Sequence, residues 1–116
     1  MENTLRPHQL RAYDNMRKHD CGQIIVPTGG GKTFIMIADC DRYLSKDDIS
    51  KTIVVVAPRI LLANQLSNEF ETAIDRPYLN IGHVHSGETH HFSTTNAHEL
   101  RVWNNNTIGH KLIFTT

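Results

Sequence analysis

Apolar positions fall into alternating helical and strand patterns along the chain. Leu10, Tyr13 and Met16 recur on one face of a predicted helix that opens at Pro7, whose fixed φ suits a first helical turn. Lys18 and His19 are placed in its last turn, with Gly22 just past the end. "GQIIV", 22–26, predicts a short buried strand, and a run of glycines follows. "TFIMIADCDRYL" predicts a second helix from about Thr33, with Phe34, Ile35, Ile37, Ala38 and Tyr43 available to pack on a sheet. "KTIVVVA", 51–57, is the clearest strand. Its serial β-branched residues predict burial on both faces, as in a parallel sheet covered by helices.

Leu62, Leu66 and Phe70, four apart, predict a third helix over roughly Ile60 to Glu71, with these three as core. "DRPYLN" reads as a turn and "IGHVH", 81–85, as a weaker strand closed by Ser86-Gly87. A polar stretch follows, then a short helix around Ala97 to Trp103, the loop "NNNTIGH" and a last strand, "KLIFTT". Strands alternating with helices predict an α/β fold: a three-layer sandwich with a mainly parallel sheet. Right-handed crossovers put the loops that follow strands along one edge, where ligands of such sheets bind. The positions to inspect are therefore those after Val26, Ala57, His85 and Thr116.

Composition narrows the class. The 116 residues suffice for one small domain. At 39% hydrophobic and 21% charged, the chain has the balance of a soluble globular protein. Twelve basic residues offset twelve acidic ones, so no overall basic footprint argues for nucleic acid. No apolar run reaches the length of a membrane span, and "MENTLRPHQL" lacks the core of a signal peptide. Cys21 and Cys40 form no CxxC pair, which favours a reduced, cytoplasmic setting.

"VPTGGGKTF", 26–34, carries the most specific chemistry. Gly29, Gly30 and Gly31 allow backbone angles and close approaches that a Cβ obstructs. Successive amides then face one concavity, and the following helix adds unpaired donors and partial positive charge. Lys32 supplies the full charge for the outer phosphates, and the Thr33 hydroxyl is placed for Mg²⁺. The expected ligand is a nucleoside triphosphate with Mg²⁺, held by Thr28 to Thr33, and Lys32 is the catalytic candidate. Val26 stands where the general phosphate-loop pattern has glycine.

With "PTGGGKT" in place, its neighbours become recognisable. The chain resembles the N-terminal part of the first RecA-like domain of a superfamily 2 helicase, of the DExH and restriction-type group. There the segment reads P-T-G-x-G-K-T after an apolar residue, which accommodates Val26. "LRPHQ", 5–9, resembles the group's L-R-P-x-Q element, and this implies that Arg6 and Gln9 contact adenine. "VVVAPRILLANQLSNEF", 54–70, resembles motif Ia, "HVHSG" the next strand and its turn, and "KLIFTT" the strand into motif Ib. The resemblance implies nucleic-acid contacts at Pro58, Arg59, Gly87 and Thr116, with DNA expected ahead of RNA as the partner.

The acidic motif of such motors is missing. No Asp-Glu pair occurs anywhere in the chain, so the carboxylate that would complete the Mg²⁺ site is not encoded here. The reading is a partial ATP-binding domain that binds ATP with little turnover, cut before that motif. An incomplete sheet is expected to leave an edge open to self-association. Two rivals remain. One is a stand-alone nucleotide-binding or interaction module. The other is a small P-loop kinase, disfavoured because Arg101 is the only arginine after Arg76 to serve a lid.

Five of the eight histidines, His83, His85, His90, His91 and His98, lie within sixteen residues. His83 and His85 alternate onto one side of a strand. His90, His91 and His98 fall in loop or helix with no fixed relation to them, and no cysteine is near. The expectation is therefore against a zinc site.

Overall fold

The computed structural model describes residues 5–26, 31–45, 50–76 and 78–116. They divide into two compact units, Met1–Asp47 and Asp48–Thr116. No helix among the described residues is long and apolar enough to cross a membrane.

The first unit holds α1 (Pro7–Met16) and α2 (Lys32–Leu44). Arg6 precedes a proline, which excludes helical backbone there, and it caps α1 in an extended conformation. Helix α1 is shorter than its pattern predicted. Lys18 and His19 lie in a turn past its end, where their amides donate to Asn15 and Met16 carbonyls. Nothing apolar follows Met16 at helical spacing, so a further turn would bury nothing.

The strand predicted at 22–26 is absent. These residues form no ladder, and Ile24 and Ile25 are exposed. A pair of adjacent isoleucines signals apolarity but not a partner, and a strand exists only where its backbone is paired. Helix α2 buries Ile35, Ile37 and Ala38, as expected, and Leu44 in addition. Phe34 and Tyr43 are exposed instead of packed. Phe34 lies in the first turn and is directed back over the helix start. Tyr43 lies off the buried stripe.

The second unit carries the sheet: β1 (Thr52–Val56), β2 (Leu79–Val84), β3 (Phe92–Ser93) and β4 (His110–Thr115), in the order β1-β4-β2-β3. Every pairing is parallel. β4 is paired along both sides, and its Leu112 and Phe114 are fully buried. Helices α3 (Ile60–Ala73) and α4 (Ala97–Asn106) cover opposite faces. Phe70 of α3 meets Phe114 edge to face at 5.4 Å, and Phe114 is level with His83. The next residue along, Gly82, faces the other way; the Trp103 ring of α4 lies against it and stacks on Phe92 at 5.0 Å. The unit is thus three layers, helix on sheet on helix.

Two expectations about the core need correction. β1 is not covered on both faces, because Val54 and Val56 are exposed while Val55 is buried. α4 sits over β2 and β3, so its face is uncovered at the β1 end. Leu62 is partly exposed, because the buried stripe of α3 runs through Ala63, Leu66, Ser67 and Phe70, one residue out of phase with it.

Phe114→Ala is expected to cost about 3–5 kcal/mol in urea unfolding, and Val56→Ala less than about 0.5 kcal/mol. Equal losses would contradict the position assigned to β4.

Candidate functional site

Thr28, Gly29 and Gly30 lie outside the described residues, as does Pro27. The remaining predicted nucleotide-binding residues, Arg6, Gln9, Gly31, Lys32 and Thr33, are all in the first unit. Gly31 caps α2 in the left-handed region, at φ 74° and ψ 43°. Gln9, four per cent exposed, ties it to the "LRPHQ" element. Its Oε1 accepts from the Arg6 amide at 2.8 Å, and its Nε2 donates to the Gly31 carbonyl at 3.2 Å. A Cβ at Gly31 would fall inside the van der Waals surface of Gln9 Nε2. Glycine is therefore required twice at this position, by backbone angle and by space.

Gly31 has no side chain to cap α2, and no acidic residue stands in that helix's first turn. A helix start of this kind is electrostatically open to an anion. Lys32 is exposed in the first turn, and Thr33 beside it is half-buried. Arg6 is exposed, with its backbone amide engaged by Gln9.

The predicted nucleic-acid contacts gather in the second unit, because parallel strands end on one side. Pro58 and Arg59 follow β1, Gly87 follows β2 and Thr116 follows β4. The Ala57 amide donates to the Thr115 carbonyl at 2.9 Å, which keeps the ends of β1 and β4 level. Gly87 packs so closely on Ile60, the first residue of α3, that a Cβ there would overlap its Cγ2. Beside this turn is an open depression of about 780 Å³, lined by Ser86, Gly87, Thr89 and Thr95 among others. Glu88 and Glu99 also line it, and no lysine or arginine does. The depression itself is not charged to attract phosphates; Arg59, exposed at the start of α3, is the cation in this group of residues.

The histidines are organised, contrary to expectation. His83 Nδ1 lies 3.0 Å from His85 Nε2, and His83 Nε2 lies 3.1 Å from His91 Nδ1. His91 Nε2 lies 2.6 Å from Glu71 Oε2 on α3, and the Gly87 amide donates to His85 Nδ1 at 3.1 Å. Two expectations fail together here, the isolation of His91 and the absence of a strand near it. β3, unread in the sequence, pairs Phe92 with Gly82 and so brings His91 back beside His83. Burial, reinforced by its histidine neighbours, pushes His83 down to about 4. Glu71 is held below the usual carboxylate range by its hydrogen bond from His91. His98, exposed on α4, stays outside the cluster.

The family model described as "Type III restriction enzyme, res subunit" matches residues 2–115. The chain belongs to the type III restriction enzyme res-subunit family. Comparison with the curated proteins finds no match. Among solved structures, this res-subunit-family chain is similar to a nuclease-deletion mutant of the Type ISP restriction-modification enzyme LlaGI, solved in complex with a DNA substrate mimic. The TM-score is 0.79 at 19% identity, over 97% of this chain. The likeness is one of fold, and the res-subunit-family chain spans 12% of that chain's length.

Gly31→Ala is expected to lower unfolding stability by about 1–3 kcal/mol, from left-handed strain and displacement of Gln9. Gly22→Ala, with nothing within 4 Å of the new methyl, is the matched control. Equal unfolding midpoints for the two variants would refute the constraint at Gly31.

Proposed function

We propose that this chain is the ATP-binding portion of an ATP-dependent translocase or helicase that moves on nucleic acid, DNA in preference to RNA. The observation that carries the reading is Gly31, left-handed at the start of α2 and hydrogen-bonded through its carbonyl to Gln9. It joins two elements that are separate in sequence, "LRPHQ" and "GKT". Membership of a restriction-enzyme family whose model spans both elements supports the same reading.

The residues present fit a magnesium nucleotide. The helix start carries no acidic side chain to repel a triphosphate. Lys32 would neutralise the outer phosphates, the Thr33 hydroxyl would hold Mg²⁺, and amides from Gly29 to Thr33 would face the phosphate chain. When bound, the nucleotide supplies the free energy of hydrolysis for movement. Gln9 acts in this reading as a positioning residue for Gly31. Both ends of its amide are engaged within the chain.

Pro58, Arg59, Gly87 and Thr116 would line the nucleic-acid track along the carboxyl edge of the sheet. In this reading self-association runs through the β1 edge, where Val54 and Val56 are exposed, and gives a sedimentation coefficient that rises with concentration. A constant monomer value would remove it. Both cysteines are free, and burial next to Asp39 and Asp41 pushes the Cys40 thiol up to about 12. Two free cysteines fit a reducing, cytoplasmic setting.

Calorimetry with Mg-ATP is the test of nucleotide binding. Weak binding is expected, reduced about tenfold or more by Lys32→Ala, with very slow turnover because no Asp-Glu pair completes the metal site. Binding unchanged in Lys32→Ala, or turnover at the rate of an ordinary motor ATPase, would overturn the reading.

A further inference from the structure

We propose that Glu71, His90 and His91 form a binding site for one divalent transition ion of the zinc class. Among the described residues, these three place a carboxylate oxygen and two imidazole nitrogens within 4.8 Å of one another. A carboxylate and two imidazoles are a donor set that suits zinc, with a further position left for water.

Two of the three distances between ligand atoms are close to those a bound ion needs. Ligand atoms about 2.0–2.2 Å from a tetrahedral ion stand roughly 3.4 Å apart. His90 Nε2 is already 3.4 Å from Glu71 Oε2. His91 Nε2 is closer, at 2.6 Å, because a proton now lies between it and the carboxylate. An ion replaces that proton and separates the pair by less than an ångström. Two of the three side chains can make this adjustment, since Glu71 and His90 are 48% and 65% exposed. His91, 10% exposed, is the anchored member. Ordering one ligand while two remain adjustable lowers the entropy cost of assembling the site.

What anchors His91 is the buried row behind it. A metal-binding histidine commonly engages its second ring nitrogen with a partner that fixes its orientation. Here that partner is His83, fully buried and 3.1 Å from His91 Nδ1. Thr89 Oγ1 lies 3.4 Å from both nitrogens, where its hydroxyl can donate to whichever one lacks a proton.

The row also fixes where protons lie. An amide N–H can only donate, so Gly87 makes His85 Nδ1 an acceptor and places the His85 proton on Nε2. That proton faces His83 Nδ1, the His83 proton faces His91 Nδ1, and the His91 proton faces Glu71. All three rings thus point a proton the same way along the row. An ion on His91 Nε2 reverses the order. The proton on His91 Nε2 leaves to solvent, and each internal proton crosses to the neighbouring ring. His85 Nδ1 takes one proton from solvent, so none is released in total. Two donors then oppose each other at Gly87, and its hydrogen bond to His85 is lost. Occupancy on one side of the row is thus reported at the turn after β2.

The test uses the full, tag-free chain, freed of metal with a chelator and titrated with Zn²⁺. One equivalent is expected to bind per chain. Glu71→Gln and His90→Ala, both at exposed positions, should each weaken binding about tenfold or more while leaving the circular dichroism spectrum unchanged. His98→Ala, outside the cluster, should leave affinity unchanged. The Gly87 amide resonance should shift and lose exchange protection as Zn²⁺ is added. Failure to bind at micromolar Zn²⁺, binding that survives both Glu71→Gln and His90→Ala, or a Gly87 amide indifferent to bound zinc would each overturn the assignment.

Discussion

Gly31 holds a left-handed backbone at the start of α2, with its carbonyl on the Gln9 side chain. Much of what the first unit can do depends on that arrangement. It brings the chain out of the glycine run and into a helix whose first amides lack a side-chain cap. It also gives Gln9 a structural role, since the same side chain caps α1 through the Arg6 amide. A residue with a Cβ at position 31 would disturb both helix starts at once.

The second unit is organised by a different constraint. Every strand pairing is parallel, so each strand ends on the same side. Residues distant in sequence, Pro58, Gly87 and Thr116, are collected along one edge without any attraction among themselves. The helices that connect the strands cover both faces, and the aromatic pairs Phe70–Phe114 and Phe92–Trp103 show how each is seated. The histidine row uses the same geometry. His83, on β2, and His85, just past its end, share a face because they are two apart, and β3 returns His91 to that face.

Elements with strong internal periodicity were legible in the sequence: α2, β1, α3, β2, α4 and β4 all occur close to their expected bounds. Elements whose existence depends on a distant partner were not. Residues 22–26 are as apolar as a strand but form no ladder. β3 is two residues long, too short for any periodic signal, and is defined only by its pairing with β2. The missing β3 also explains the misplaced histidines, because without it nothing returns His91 to His83. Glu71, on a helix twelve residues before His83, gave no signal of its own; only its position one turn after the buried Ser67 could have placed it near the sheet. In the candidate nucleotide site, Gly31, Lys32 and Thr33 stood out by their spacing and Arg6 and Gln9 by resemblance, whereas the Gln9–Gly31 bond required the two helices to be seen together.

The central claim is that the start of α2, shaped by Gly31, receives the phosphates of a nucleotide. Amide chemical shifts of the full chain, followed during titration with Mg-ATP, test it most directly. Saturable changes are expected at Gly31, Lys32 and Thr33, with the Gln9 side-chain amide moving alongside them. Changes confined to other residues, or none at saturating nucleotide, would contradict it.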